Sequence, residues 1–175
     1  MKTRPAGFNF YLFLLSLALA VGCKTGAEQK RGKAISTFRL HLEGNPGGTE
    51  SIAVVEIAGT ELYVNNTHFL DETSVTNAAV VETRDGGFAM RVQYDRHGTL
   101  VLGAVTTENR GRRLAIFTQY GVGKLEHSCW LAAPFGRPTT DGMLLFTPTA
   151  TREETEQIVN GLNNVAKRVR KRNLF

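Results

Sequence analysis

Apolar and polar positions alternate most clearly between Phe88 and Tyr94, where Phe88, Met90, Val92 and Tyr94 interleave with Ala89, Arg91 and Gln93. A period of two is that of a half-buried strand. Asp95 then stands where it can cap a helix carrying Leu100, Val101, Ala104 and Val105 on one face. Gly111 ends that helix, and Leu114 to Phe117 opens a second apolar strand. Strand, helix and strand over this length suit a βαβ unit whose helix packs on a sheet.

The same alternation marks the segments on either side. Ile35 to Glu43 puts Phe38, Leu40 and Leu42 on one face and predicts a strand, followed by a turn at Gly44-Asn45-Pro46-Gly47-Gly48. Ser51 to Ala58 predicts a second strand, and Gly59-Thr60 turns into a third, Glu61 to Asn65. Asp71-Glu72-Thr73 starts a short helical turn, Ala79 to Thr83 is another strand, and Asp85-Gly86-Gly87 is a hairpin turn. Beyond Phe117, the glycines of Tyr120 to His127 predict a loop or hairpin end. Ser128 to Ala133 and Met143 to Phe146 are short apolar strands. Thr151 and Glu154 form a capping box for a last helix that buries Ile158, Leu162, Val165 and Val169. The sum is an α+β domain: a mostly antiparallel sheet with two main helices packed on one face.

The N-terminus carries an address. Lys2 and Arg4 precede an apolar run from Phe8 to Val21, shorter than the roughly 20 residues a spanning helix needs. It has the layout of a secretory signal. It ends Leu19-Ala20-Val21-Gly22-Cys23, which resembles a bacterial lipobox, with Ala20 where leucine is commoner. On this reading residues 1–22 are a lipoprotein signal peptide and Cys23 is the lipid-attachment residue. Residues 23–34 are then a flexible tether, 35–170 the folded domain and 171–175 a basic tail. The alternative is ordinary cleavage after Ala18-Leu19-Ala20, which leaves Cys23 a free thiol able to pair with Cys129. Lys24 in place of an aspartate leans toward the outer membrane, on the periplasmic side.

Charge adds little once it is located. Leaving out the seven cations Lys2, Arg4, Lys167, Arg168, Arg170, Lys171 and Arg172 turns the net charge of +5 into −2, so no nucleic-acid face is indicated. Arg110, Arg112 and Arg113 follow one helix, and Lys167, Arg168 and Arg170 close the other. Both clusters suit a helix dipole and double as candidate interaction patches for an acidic partner or lipid headgroups. The two cysteines, Cys23 and Cys129, are not spaced for a metal or redox pair. His127 and Cys129 share a strand face, the minimum for a Cys–His nucleophile, but Trp130, Leu131 and Ala132 favour a buried structural thiol. The four histidines, His41, His68, His97 and His127, make no HxH or HExxH pair. No catalytic residue, metal ligand or cofactor is expected.

Five stretches, taken in order, carry a family resemblance: FLDETSVTNAAV, GGFAMRVQYDRHG, TTENRGRRLAIF, WLAAP and DGMLLFTPTATREETEQIVNGLN. From Phe69 onward the chain resembles the head of the first periplasmic domain of SecD, a subunit of the bacterial protein-export channel. Thr107, Asn109, Gly111, Arg112, Leu114, Ala115, Ile116, Ala133, Pro134, Gly142, Thr151, Glu153 and Glu154 fall in that family's places. Thr147-Pro148-Thr149 replaces its usual glycine turn, and the transmembrane helices of SecD have no counterpart here. The leader and the resemblance together imply a non-enzymatic, lipid-anchored periplasmic module that meets translocating polypeptide, the export machinery or another envelope partner. The alternatives are a structural envelope lipoprotein with no client, and a small envelope hydrolase using Cys129 and His127.

Overall fold

The computed structural model describes residues 26–48 and 51–172; the leader and Cys23 lie outside them. Helix α1 (Gly26–Lys33) leads into β1 (Ala34–Ser36), β2 (Arg39–Glu43), β3 (Ile52–Ile57) and β4 (Thr60–Leu70). A 3-10 turn at Glu72–Ser74 connects to β5 (Val75–Glu82) and β6 (Phe88–Tyr94). Helix α2 (Arg96–Glu108), β7 (Leu114–Val122), β8 (His127–Ala132), β9 (Met143–Phe146) and α3 (Arg152–Arg172) complete the order.

The strands form two antiparallel sheets. In the larger, β7 is central, with β8 on one side and β1 and β2 on the other, followed by β4 and β3. β1 and β2 are one strand with a break, because Ser36 faces Tyr120 and Arg39 faces Phe117 in a single register. At the break the Thr37 hydroxyl accepts from the Gln119 N–H (2.9 Å) and the Thr118 hydroxyl donates to the Thr37 carbonyl (2.7 Å). The Phe38 N–H turns away to Glu72 Oε2 at 3.0 Å. The smaller sheet runs β5-β6-β9.

The main core lies between these sheets and the two long helices. Phe38, Leu40, Met90, Leu102, Ile116, Leu131, Ile158 and Leu162 are fully buried there. A second cluster of Ile57, Leu62, Val64 and Ala115 fills the far side of the larger sheet, where the β3–β4 hairpin folds over it and Trp130 packs in. Helix α3 lies against β1, β5 and β7. Its Gly161 is required: a Cβ there would sit 2.2 Å from Ser36 Oγ and 2.6 Å from the Ile35 carbonyl carbon.

The α+β architecture and its strand–helix–strand unit are as expected, with one change of wiring. β6 belongs to the small sheet and β7 to the large one, so α2 links two sheets. Its buried face also differs. Gly98, Leu102 and Thr106 point inward while Leu100 is exposed. The hydroxyl of Thr106 donates to the Leu102 carbonyl at 2.7 Å, which hides its polarity and lets it serve as a core residue.

Two loop expectations are corrected. The stretch read as a tether is helical over Gly26–Lys33. It forms without an apolar period because Ala27 to Arg31 are good helix formers and its carbonyl end is held by a side chain. Asn164 Nδ2 of α3 donates to the Arg31 and Ala34 carbonyls at 2.8 and 3.0 Å. The stretch from Tyr120 is strand rather than loop as far as Val122. Gly121 reads as a turn signal, yet its missing side chain makes room for the Lys124 carbonyl in a tight hairpin, 2.1 Å from where a Cβ would stand.

Candidate functional site

The two basic clusters are not one patch. Arg112 and Arg113 follow the C-cap of α2 at Asn109, whereas Arg170 lines a shallow cleft with Asp95, the N-cap of the same helix. The helix separates them by about 20 Å at 1.5 Å per residue. Arg113 has its guanidinium 5.1 Å above the Phe135 ring, and its backbone N–H donates to Glu43 Oε2 at 2.8 Å. Arg110 and Arg168 are exposed.

Cys129 and His127 sit in different surroundings, one half-buried and the other exposed. Cys129 is half-buried, and burial together with the charge of Glu154 pushes its thiol up from its ordinary range. A nucleophilic cysteine needs the opposite shift. Glu154 is itself held low, chiefly by the capping-box bonds to Thr151 (2.8 Å) and then by the Tyr120 hydroxyl, which donates to it at 3.0 Å. Burial, followed by that carboxylate, pushes the Tyr120 phenol up to about 12. His127 is exposed and its ring lies 5.3 Å from that of Tyr120. The group ties β7, β8 and the start of α3 together.

The fold does bring two of the separated histidines together. His41 on β2 pairs across the strands with His68 on β4, rings 5.9 Å apart, and Trp130 lies 5.4 Å from His41. His41 Nδ1 is 2.8 Å from the Asn65 carbonyl. Burial lowers the His41 pKa, and the neighbouring His68 and Arg39 charges add to this. Their juxtaposition depends on the β2–β4 register, to which their spacing in the chain gives no clue.

A cleft of about 410 Å³ with an apolar lining lies beside β9. Leu102 and Thr106 of α2 and Leu114 of β7 form its floor; Phe135 and Pro138 stand opposite Met143, Leu144 and Leu145. Phe135 is 61% exposed, Leu145 54% and Met143 39%. The edges of the small sheet are treated differently. The β5 edge is closed, because Asn163 of α3 accepts from the Ala78 N–H and donates to the Ala78 carbonyl, both at 2.9 Å. The β9 edge borders the cleft. The bond from the Tyr94 N–H to the Gly142 carbonyl fixes the phase of the β6–β9 ladder. Alternation then turns the Met143 and Leu145 backbone groups away from β6. Asp141 accepts from the Met143 N–H at 2.9 Å, leaving the Met143 carbonyl and both Leu145 groups on the open edge. The turn residues Asp141-Gly142 and the short run after them were readable as a strand; its position at a sheet edge was not. Among the described residues, no cluster of three or more His, Cys, Asp or Glu side chains could hold a metal ion, and no helix is long and apolar enough to cross a membrane.

No protein-family model matches the chain, and no curated protein matches it. Two solved structures share its fold. A SecDF described as a membrane component that enhances protein export superposes with a TM-score of 0.56 at 16% identity, over 82% of this chain and 70% of that one. SecDF in its Super-membrane-facing form gives 0.55 at 17% identity, over 81% of this chain and 21% of that one, so the chain spans about a fifth of that protein. The SecD-like reading of the sequence is thereby met at the level of the fold.

Proposed function

We propose that this chain is a lipid-anchored accessory module of the cell envelope that binds polypeptide and assists protein export. Cys23 is its attachment residue, and its address is the periplasmic side of the outer membrane, read from Lys24. The observation that carries the reading is the fold shared with SecDF, joined to an apolar cleft along an open strand edge. Lys167, Arg168 and Arg170 make a separate basic surface at the end of α3, suited to acidic groups on an envelope partner. The raised Cys129 thiol supports a binding role over hydrolysis.

The test is crosslinking in cells from a photoreactive phenylalanine analogue at position 135, together with metabolic labelling by radioactive palmitate. Crosslinks to a secretory precursor arrested during export are expected, as is palmitate label that disappears in Cys23→Ser. Repeated recovery of neither an export component nor an unfolded client would overturn the reading.

A further inference from the structure

We infer that the β9 edge takes an extended polypeptide segment as an added strand, and that this segment carries acidic side chains among its apolar ones. The inference rests on the binding role proposed above and names its site and ligand class.

Three observations converge on this edge. The Leu145 N–H and carbonyl and the Met143 carbonyl face outward, as the ladder phase requires. A strand backbone is the chemical match for such a row, since its own donors and acceptors repeat at the same interval. The cleft beside the row has an apolar floor of Leu102 and Leu114 and an apolar wall at Phe135, which suits every second side chain of an incoming strand. An exposed edge with apolar flanks is ordinarily blocked, and this protein blocks the other edge of the same sheet with Asn163.

The charge around the cleft selects the segment. Arg137 lines it, Arg113 lies over Phe135, and Arg91 is the cross-strand partner of Leu145. Among the described residues the ion pairs are Lys124–Glu126 and those of Arg152 with Glu82 and Glu156, so none of these three arginines is in an ion pair there, although the Glu43 carboxylate accepts the Arg113 backbone N–H. The nearby Asp141 is occupied by the Thr139 hydroxyl (2.6 Å) and the Met143 N–H. The cations Arg91, Arg113 and Arg137 thus stand against the carboxylates of Glu43 and Asp141, and an incoming carboxylate finds its partners at Arg137 on the wall and Arg91 on the outer face.

The test uses the full chain and a short synthetic peptide alternating valine and glutamate, with a valine–lysine peptide and a backbone N-methylated valine–glutamate peptide as controls. Binding is read by fluorescence anisotropy, and the Leu145 amide by NMR hydrogen exchange. The valine–glutamate peptide is expected to bind and to protect the Leu145 amide, with each control weaker by about tenfold or more, a difference of about 1.4 kcal/mol. Leu145→Pro removes an outward N–H that the β6 ladder does not use, which an edge strand tolerates. Both it and Phe135→Ser should lose about tenfold in affinity, with the Phe135→Ser melting temperature confirming an intact fold. Binding with protection elsewhere and none at Leu145 would overturn the site while leaving the polypeptide-binding role standing. Failure of every peptide and of an unfolded secretory protein to bind would remove both. A Leu145 amide already protected without peptide, in a dimer that Leu145→Pro dissociates, would make the occupant a second copy and overturn the proposal.

Discussion

His41 sets a pH limit on the fold. Its folded-state pKa lies below the ordinary 6.5, so the folded chain binds fewer protons than the unfolded chain just below that value. Stability is therefore full above about pH 6.5 and falls as the pH drops toward the folded pKa. Denaturant unfolding followed across that range should show the decline, and His41→Gln should flatten it. A profile equally steep in the variant would assign the effect to other groups. Cys129 gives a second prediction at this scale. With its thiol pushed up by burial and Glu154, it should react with iodoacetamide at neutral pH more slowly than a free cysteine, and Cys129→Ala should leave peptide binding unchanged. Fast alkylation together with lost binding would return the thiol to consideration as a functional group. Gly161 answers to packing alone. Gly161→Ala forces a methyl group into the Ile35–Ser36 backbone and should destabilise by about 1–3 kcal/mol, the usual cost of overpacking, read as a lower denaturant midpoint.

At the scale of elements, α3 does more than cover the core. Its Asn163 satisfies the backbone of β5 and its Asn164 closes α1. Asn163→Ala should cost about 1–3 kcal/mol, the penalty of leaving buried backbone groups unmet. It should also increase aggregation by opening a second strand edge; light scattering at matched concentration checks this. The elements that were legible in the sequence are those whose signals are local. Asp95 caps α2 by accepting from the Gly98 N–H at 2.7 Å, and the Thr151–Glu154 box opens α3. What could not be read is long-range. The alternation from Ile35 to Glu43 hides the break at Thr37 because the register on both sides is the same. The inward stripe of α2 includes Gly98 and Thr106, which no hydrophobic count selects. The cleft beside β9 joins Leu102, Phe135 and Leu145, residues that come from a helix, a loop and a strand far apart in the chain.

For the whole molecule, one edge of the small sheet is sealed by a helix and the other is left beside an apolar, cation-rimmed cleft. A shared fold fixes the frame and leaves the activity to the site built on it. The most direct measurement is hydrogen exchange of the full chain by mass spectrometry, with and without an unfolded secretory polypeptide. The account predicts new protection concentrated in peptides spanning Met143–Phe146, accompanied by the Phe135 segment, with the β5 edge unchanged. Saturating polypeptide that leaves those peptides exchanging as before would contradict it.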